Sequence, residues 1–236
     1  LCQQLATANP KDKQAQRDLA SSYEGLGDVQ WQLRNTPVAV THYEKSLAIR
    51  QSLASADPKD GPAQRNLAIS YGKLGDIQQE LKNFQVAITH YEKHLELSKQ
   101  LAAIDSKDRQ AQRNLAISYE RVGDIYWHLG KTQTTLQNYE QTVALAKQLV
   151  TADPKDEQAP RYLALVLVKL GDLQRQLENM PATVANYEQA LTVLQSLRTT
   201  VPQMQIQRDI FNIANKLGDL QDQLKKPQEA LKAYQL

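Results

Sequence analysis

Ala63-Gln64-Arg65-Asn66-Leu67-Ala68-Ile69-Ser70-Tyr71 recurs letter for letter at residues 111–119, 48 positions further on. The same interval governs the rest of the chain. Gly-Asp stands at Gly27-Asp28, Gly75-Asp76, Gly123-Asp124, Gly171-Asp172 and Gly218-Asp219, with spacings of 48, 48, 48 and 47. Sixteen residues after each glycine comes a tyrosine: Tyr43, Tyr91, Tyr139, Tyr187 and Tyr234. Ten residues before each comes an arginine: Arg17, Arg65, Arg113, Arg161 and Arg208. Chance does not hold five copies in one register, so the chain is read first as a repeat.

Each copy reads as two helices. In the second, Asp57-Pro58-Lys59-Asp60 offers an N-cap aspartate, proline at the first helical position and an acid in the first turn. Ala63, Leu67, Ala68, Tyr71, Leu74, Gly75 and Leu81 follow at three-and-four spacing, the signature of one buried helical face. The pattern breaks near Lys82-Asn83, where asparagine closes the helix in the left-handed conformation. Equivalent breaks fall at 34–37, Gly130-Lys131, 179–181 and 225–227. A second amphipathic helix then runs through Ala87, Tyr91, Leu95 and Leu101. No segment alternates as a strand does, and the fold class expected is all-α.

Leu74-Gly75, Ala87, Tyr91 and Leu95, with Tyr71 three before the leucine, resemble the tetratricopeptide repeat. Leu26-Gly27, Ala39, Tyr43 and Leu47 match in the first copy, and Leu170-Gly171, Tyr187 and Ala190-Leu191 in the fourth. The family unit is shorter by 14 residues, which add about two turns to each helix if split equally. The long form is similar to kinesin-light-chain-type repeats and to arrays in bacterial signalling proteins. The resemblance implies a right-handed superhelical solenoid of antiparallel helix pairs, with the first helices lining a concave groove. The register gives a single array: the end of a preceding repeat at 1–8, full repeats at 9–56, 57–104, 105–152 and 153–200, and a partial repeat at 201–236. Natural arrays end in polar caps. Neither end here resembles one, so the expectation is a piece of a longer protein whose raw ends offer a route to self-association.

Mid-helix glycine costs about 1 kcal/mol against alanine. Its recurrence points to helices too close for a side chain, with the tyrosines filling the cleft and each hydroxyl needing a partner. Arg65, Ile69, Gly72, Asp76 and Gln79 share the opposite face of the first helix, which the resemblance places in the groove. Stacking turns these positions into a basic ladder (Arg17, Arg65, Arg113, Arg161, Arg208) and an acidic ladder (Asp28, Asp76, Asp124, Asp172, Asp219). Two readings stand for the ladders: they grip a peptide, arginine in fork geometry, or they bridge neighbouring repeats and the Asp-Pro-Lys-Asp turn. Selectivity would come from groove positions that differ between copies: Ser21, Ile69, Ile117, Leu165 and Asn212; Glu24, Gly72, Glu120, Val168 and Asn215; and Trp31, Gln79, Trp127, Arg175 and Asp222. Ile69, Ile117, Leu165 and Val168 form an apolar patch near Trp127, which is either a partner site or covered by adjacent helices.

The charge balance, 28 Lys+Arg against 26 Asp+Glu, gives no pull towards nucleic acid, and no apolar run is long enough for a membrane span. A lone Cys2 excludes an internal disulfide framework and, with no signal-like N-terminus, fits a cytoplasmic setting. His90 and His94 lie one turn apart but read as a solvated helix surface rather than a metal pair. No phosphate loop, nucleophile elbow or buried acid pair appears. No catalytic, metal or cofactor site, no cofactor and no small-molecule substrate are therefore expected. The function expected is a non-catalytic protein- or peptide-binding scaffold. The alternative is a sensor or autoinhibitory arm of a larger bacterial signalling protein with a nucleotide-binding or protease-like effector. Single-stranded nucleic-acid binding ranks third, because the groove carries as many ladder aspartates as arginines.

Overall fold

A computed structural model describes residues 2–9, 11–198 and 204–236, and among these every regular element is a helix. The side chain of Cys2 and the boundary expected at 200/201 lie outside the described residues. Two compact units are present, Leu1–Gly130 and Lys131–Leu236. Their division falls at the helix break within the third 48-residue copy.

The first unit contains α1 (Cys2–Ala8), α2 (Lys13–Gln32), α3 (Thr36–Ala56), α4 (Gly61–Glu80), α5 (Phe84–Ile104) and α6 (Arg109–His128). The second contains α7 (Thr132–Ala152), α8 (Gln158–Gln176), α9 (Met180–Arg198), α10 (Met204–Gln223) and α11 (Pro227–Tyr234). Within each unit every helix packs on the next in the chain, giving the stacked antiparallel pairs of an α-solenoid. The first helices α2, α4 and α6 have 20 residues each and the second helices α3, α5 and α7 have 21, so the extra length is divided almost equally.

The start of α4 differs from the expectation. Asp60, not Asp57, caps α4, its side chain accepting from the amide of Ala63 at 2.9 Å. Asp12 and Asp108 do the same for α2 and α6. Asp57 instead ends α3 and closes the intervening turn, its carbonyl accepting from the amide of Asp60. Proline at 58 therefore belongs to the turn, because a cap must place its oxygen over the amides two and three residues on. The breaks also differ by one position. The left-handed residue is Lys82 (φ 60°), with Asn83 beyond it. The amide of Asn83 bonds to the carbonyl of Gln78, and that of Lys82 to Gln79, the paired bonds of a Schellman closure. Arg34, Glu178 and Lys225 take the same conformation, and Gly130 supplies it without a Cβ penalty. Leu81 is 44 % exposed at this closure, and Ile77, fully buried, holds the place in the core expected of it.

The helix-to-helix contacts follow from the recurring residues. A Cβ on Gly27 would stand 2.5 Å from the ring of Tyr43, and one on Gly171 2.6 Å from that of Tyr187. Gly75 and Gly218 are at least as tight against Tyr91 and Tyr234. Tyr43, Tyr91, Tyr139 and Tyr187 are at most 2 % exposed. The hydroxyl partner is the aspartate next to the glycine: Tyr43 donates to Asp28, Tyr91 to Asp76 and Tyr234 to Asp219, each at 2.7 Å. Tyr187 pairs with Asp172 likewise. Burial, reinforced by these carboxylates, holds the Tyr43, Tyr91 and Tyr187 phenols well above the usual range, so they stay protonated donors. The recurring Gly-Asp is one device: glycine admits the ring and aspartate receives its hydroxyl.

Candidate functional site

The aspartate ladder also joins repeats. Asp28 accepts from Lys73 at 2.5 Å, Asp76 from Arg121 at 2.9 Å, and Asp172 from Lys216 at 2.6 Å. Each cation sits on the next first helix, two residues before its Gly-Asp. Sequence reasoning passed over this basic series, although Lys73, Arg121, Lys169 and Lys216 recur in phase. The arginine ladder reaches the next repeat's cap: Arg17 pairs with Asp60 at 2.6 Å and Arg65 with Asp108 at 3.4 Å. Arg161 instead takes Asp209 at 2.9 Å and Gln205 at 2.8 Å. Trp31 donates to Glu80 at 2.6 Å and meets the Tyr43 ring edge-on. Arg113, Glu120, Asp124 and Trp127 are half-buried.

The face predicted from Arg65 to Gln79 is therefore divided along its length. Its Asp76 end lies under Tyr91 and Arg121, while its Arg65–Ile69 end is open, with Ile69 40 % exposed. In the first unit an open cleft of about 460 Å³ lies there, between α4, α5 and α6, lined by Arg65, Ile69, His94, Ser98, Ile117 and Arg121 among others. In the second unit a cleft of about 550 Å³ between α8, α9 and α10 is lined by Arg161, Leu165, Val168, Leu194, Asp209 and Ile213 among others. Leu165 is 52 % exposed. The four aliphatics of the expected patch thus fall in pairs, Ile69 with Ile117 and Leu165 with Val168, one pair in each unit.

His94 departs from the sequence reading. It is not a solvated surface residue but 7 % exposed, with its Nδ1 buried and lacking a hydrogen-bond partner. The reason is phase: residue 94 stands seven after Ala87 and three after Tyr91, on the inward stripe of α5. Ser46 and Thr142, at the equivalent positions, are buried as well. Burial, with Arg121 nearby adding to it, depresses His94 from 6.5 to about 4, so it is neutral at pH 7. The fold therefore binds His94's proton less well than the unfolded chain does. This part of the stability is complete above pH 6.5 and is lost as pH falls towards about 4. His94→Gln is expected to shrink the drop in urea midpoint between those pH values; an unchanged drop would show that His94 does not contribute. Among the described residues, no three His, Cys, Asp or Glu side chains are grouped to hold a metal ion, and no helix is long and apolar enough to cross a membrane.

Residues 68–101 match the family model of the tetratricopeptide repeat. The matched stretch runs from mid-α4 to near the end of α5 and takes in Gly75, Ala87, Tyr91 and Leu95. No curated protein sequence matches the chain. Among solved structures, BtubC (BKLC) from P. vanneervenii superposes with a TM-score of 0.68 at 16% identity, covering 98% of this chain and 82% of that one. The MamA protein gives 0.55 at 15% identity over 92% of this chain and 89% of its own. The apo form of RapI gives 0.60 at 11% identity, covering 93% of this chain and 62% of that one. At these identities the likeness is one of fold, and the fold is that of tetratricopeptide solenoids.

Proposed function

We propose that this tetratricopeptide-repeat chain is a non-catalytic scaffold that holds an extended peptide against the open ends of its first helices. The repeat fold supports a role in protein interaction. The observation carrying the finer reading is that both units present the same arrangement: an open cleft with partly exposed aliphatics on first helices and a ladder arginine at its rim. Arg65 stands beside Ile69 and Ile117 in one, and Arg161 beside Leu165 and Val168 in the other. Aliphatic anchors would supply desolvation, while arginine, already oriented by its carboxylate, keeps donors for a peptide carbonyl. The Arg–Asp bridges favour assigning the ladders first to stacking and only secondarily to the ligand.

The test is selection of peptides on the folded protein, followed by titration against Ile69→Ser/Ile117→Ser and Leu165→Ser/Val168→Ser. These half-exposed positions tolerate serine, so folding should persist. The affinity of a selected peptide is expected to fall at least about tenfold, or 1.4 kcal/mol, in one or both variants. Peptides held equally by wild type and both variants would overturn the assignment.

A further inference from the structure

The furrow that two successive second helices leave over the first helix between them is filled differently in the two units. In the first unit Tyr71 of α4 lies half-buried between α3 and α5. Gln51 of α3 donates to its hydroxyl at 2.8 Å, and the ring of His90 on α5 stands 6.1 Å from its own, centroid to centroid. Tyr119 holds the same register on α6, with Lys99 of α5, the counterpart of Gln51, over its ring. In the second unit the place between α9 and α11 falls to Ala214 of α10 and Ala233 of α11, the counterparts of Tyr71 and His90. Neither ring is present there, and an open cleft of about 540 Å³ lies between the three helices.

The amide donor of the first unit is kept. Gln195 of α9, the counterpart of Gln51, lines the cleft, and Leu191 and Leu217 give it apolar walls. Gln221 stands two turns beyond Ala214 on α10, about 10 Å along the axis. It also lines the cleft and is 6 % exposed, with Oε1 buried and lacking a hydrogen-bond partner among the described residues. Gln78, its counterpart in the first unit, receives Asn83 Nδ2 at 2.9 Å, but Lys226 stands where the asparagine would. A buried acceptor left in this state is destabilising until a donor reaches it. Glu188 and Glu229 against Lys232 give the walls an acidic balance, which favours a neutral occupant over an anionic one.

We propose that this cleft receives the side chain of a tyrosine carried by a protein partner, which takes the place that Tyr71 and His90 fill in the first unit. The ring lies against Leu191, Leu217 and Ala233, and its hydroxyl accepts from Gln195 as that of Tyr71 does from Gln51. A backbone N–H of the same segment donates to Gln221 Oε1. That N–H separates a tyrosine residue from a free phenol, which offers the ring and the hydroxyl alone. The site does not depend on the peptide groove: it lies between second helices and shares no lining residue with the 550 Å³ cleft of the same unit.

Proton–nitrogen NMR of the side-chain amides of Gln195 and Gln221 reads the site directly. N-acetyl-tyrosinamide is expected to give saturable shifts at both. N-acetyl-phenylalaninamide lacks the hydroxyl and p-cresol lacks the amide, so each should bind about fivefold more weakly, the loss of one hydrogen bond. Ala214→Tyr/Ala233→His rebuilds the ring pair from within and is expected to weaken binding of the tyrosine compound at least tenfold. Should that variant not fold, Gln195→Leu removes only the donor to the hydroxyl and should erase the preference for tyrosine over phenylalanine. No saturable shifts, equal binding of the tyrosine and phenylalanine compounds, undiminished binding in the folded double variant, or a preference that survives Gln195→Leu would overturn the proposal. Binding of p-cresol as tight as that of the tyrosine compound would overturn it in favour of a free phenol. Leu165→Ser/Val168→Ser alters only the groove and should leave these shifts unchanged, so failure of the groove and failure of this site are read apart.

Discussion

Valine in place of Gly75 is expected to lower stability by about 3 kcal/mol, the upper part of the range for overpacked cores, and the melting temperature by about 6–12 °C for a chain of this size. The position is mid-helix, so the substitution gains helix propensity; the sign is decided by the clash. A Cβ there would penetrate the Tyr91 ring, which is 1 % exposed and tied to Asp76 by its hydroxyl, so it has no room to retreat. Gly25 is the control. It too lies inside a first helix, but a Cβ there meets nothing within 4 Å. Gly25→Ala is expected to raise stability by about 0.5–1 kcal/mol. Thermal melts of the two variants check the pair: loss in both would put the cost in helix geometry rather than in the tyrosine contact, and gain in both would deny the contact.

Arg50→Ala is the second large effect. Arg50 is 7 % exposed and holds Glu24, Ser70 and the carbonyl of Asn66 together across the first repeat junction. Its loss leaves the Glu24 carboxylate with Lys73 alone, in a site too dry to hydrate it fully. Breaking such a pair from one side costs about 3–5 kcal/mol. Glu24→Ala/Arg50→Ala should cost less than the sum of the single substitutions, because the second change removes a charge already stranded. Urea unfolding of the three variants reads the coupling; additive costs would show that the pair acts through packing alone.

The helix pairs were legible because a period of 3.6 and a period of 48 reinforce each other at every copy. The tyrosines' need for a hydroxyl partner was legible too, though not that the partner would be the aspartate beside the glycine. Which acid caps α4 was not: Asp57 and Asp60 both precede a proline, at Pro58 and Pro62, and only the turn between them decides. The inward course of His94 was written in its spacing from Ala87 and Tyr91, but a polar imidazole invites a surface assignment. The bridging role of Lys73 and Arg121 depends on how far one first helix lies from the next, a distance that no single helix pattern contains. Variation at Glu24, Gly72 and Val168 was readable as variation; that it changes what fills the junction needed the neighbouring helix to be in place.

Hydrogen exchange of the intact protein with and without a saturating selected peptide tests the groove most directly. Added protection is expected in the open ends of first helices, residues 65–72 and 113–121 in the first unit or 161–168 and 209–213 in the second. The outward positions of α3, α5 and α9 should be unchanged. Protection confined to those second helices, with the first-helix segments exchanging as in the free protein, would contradict it.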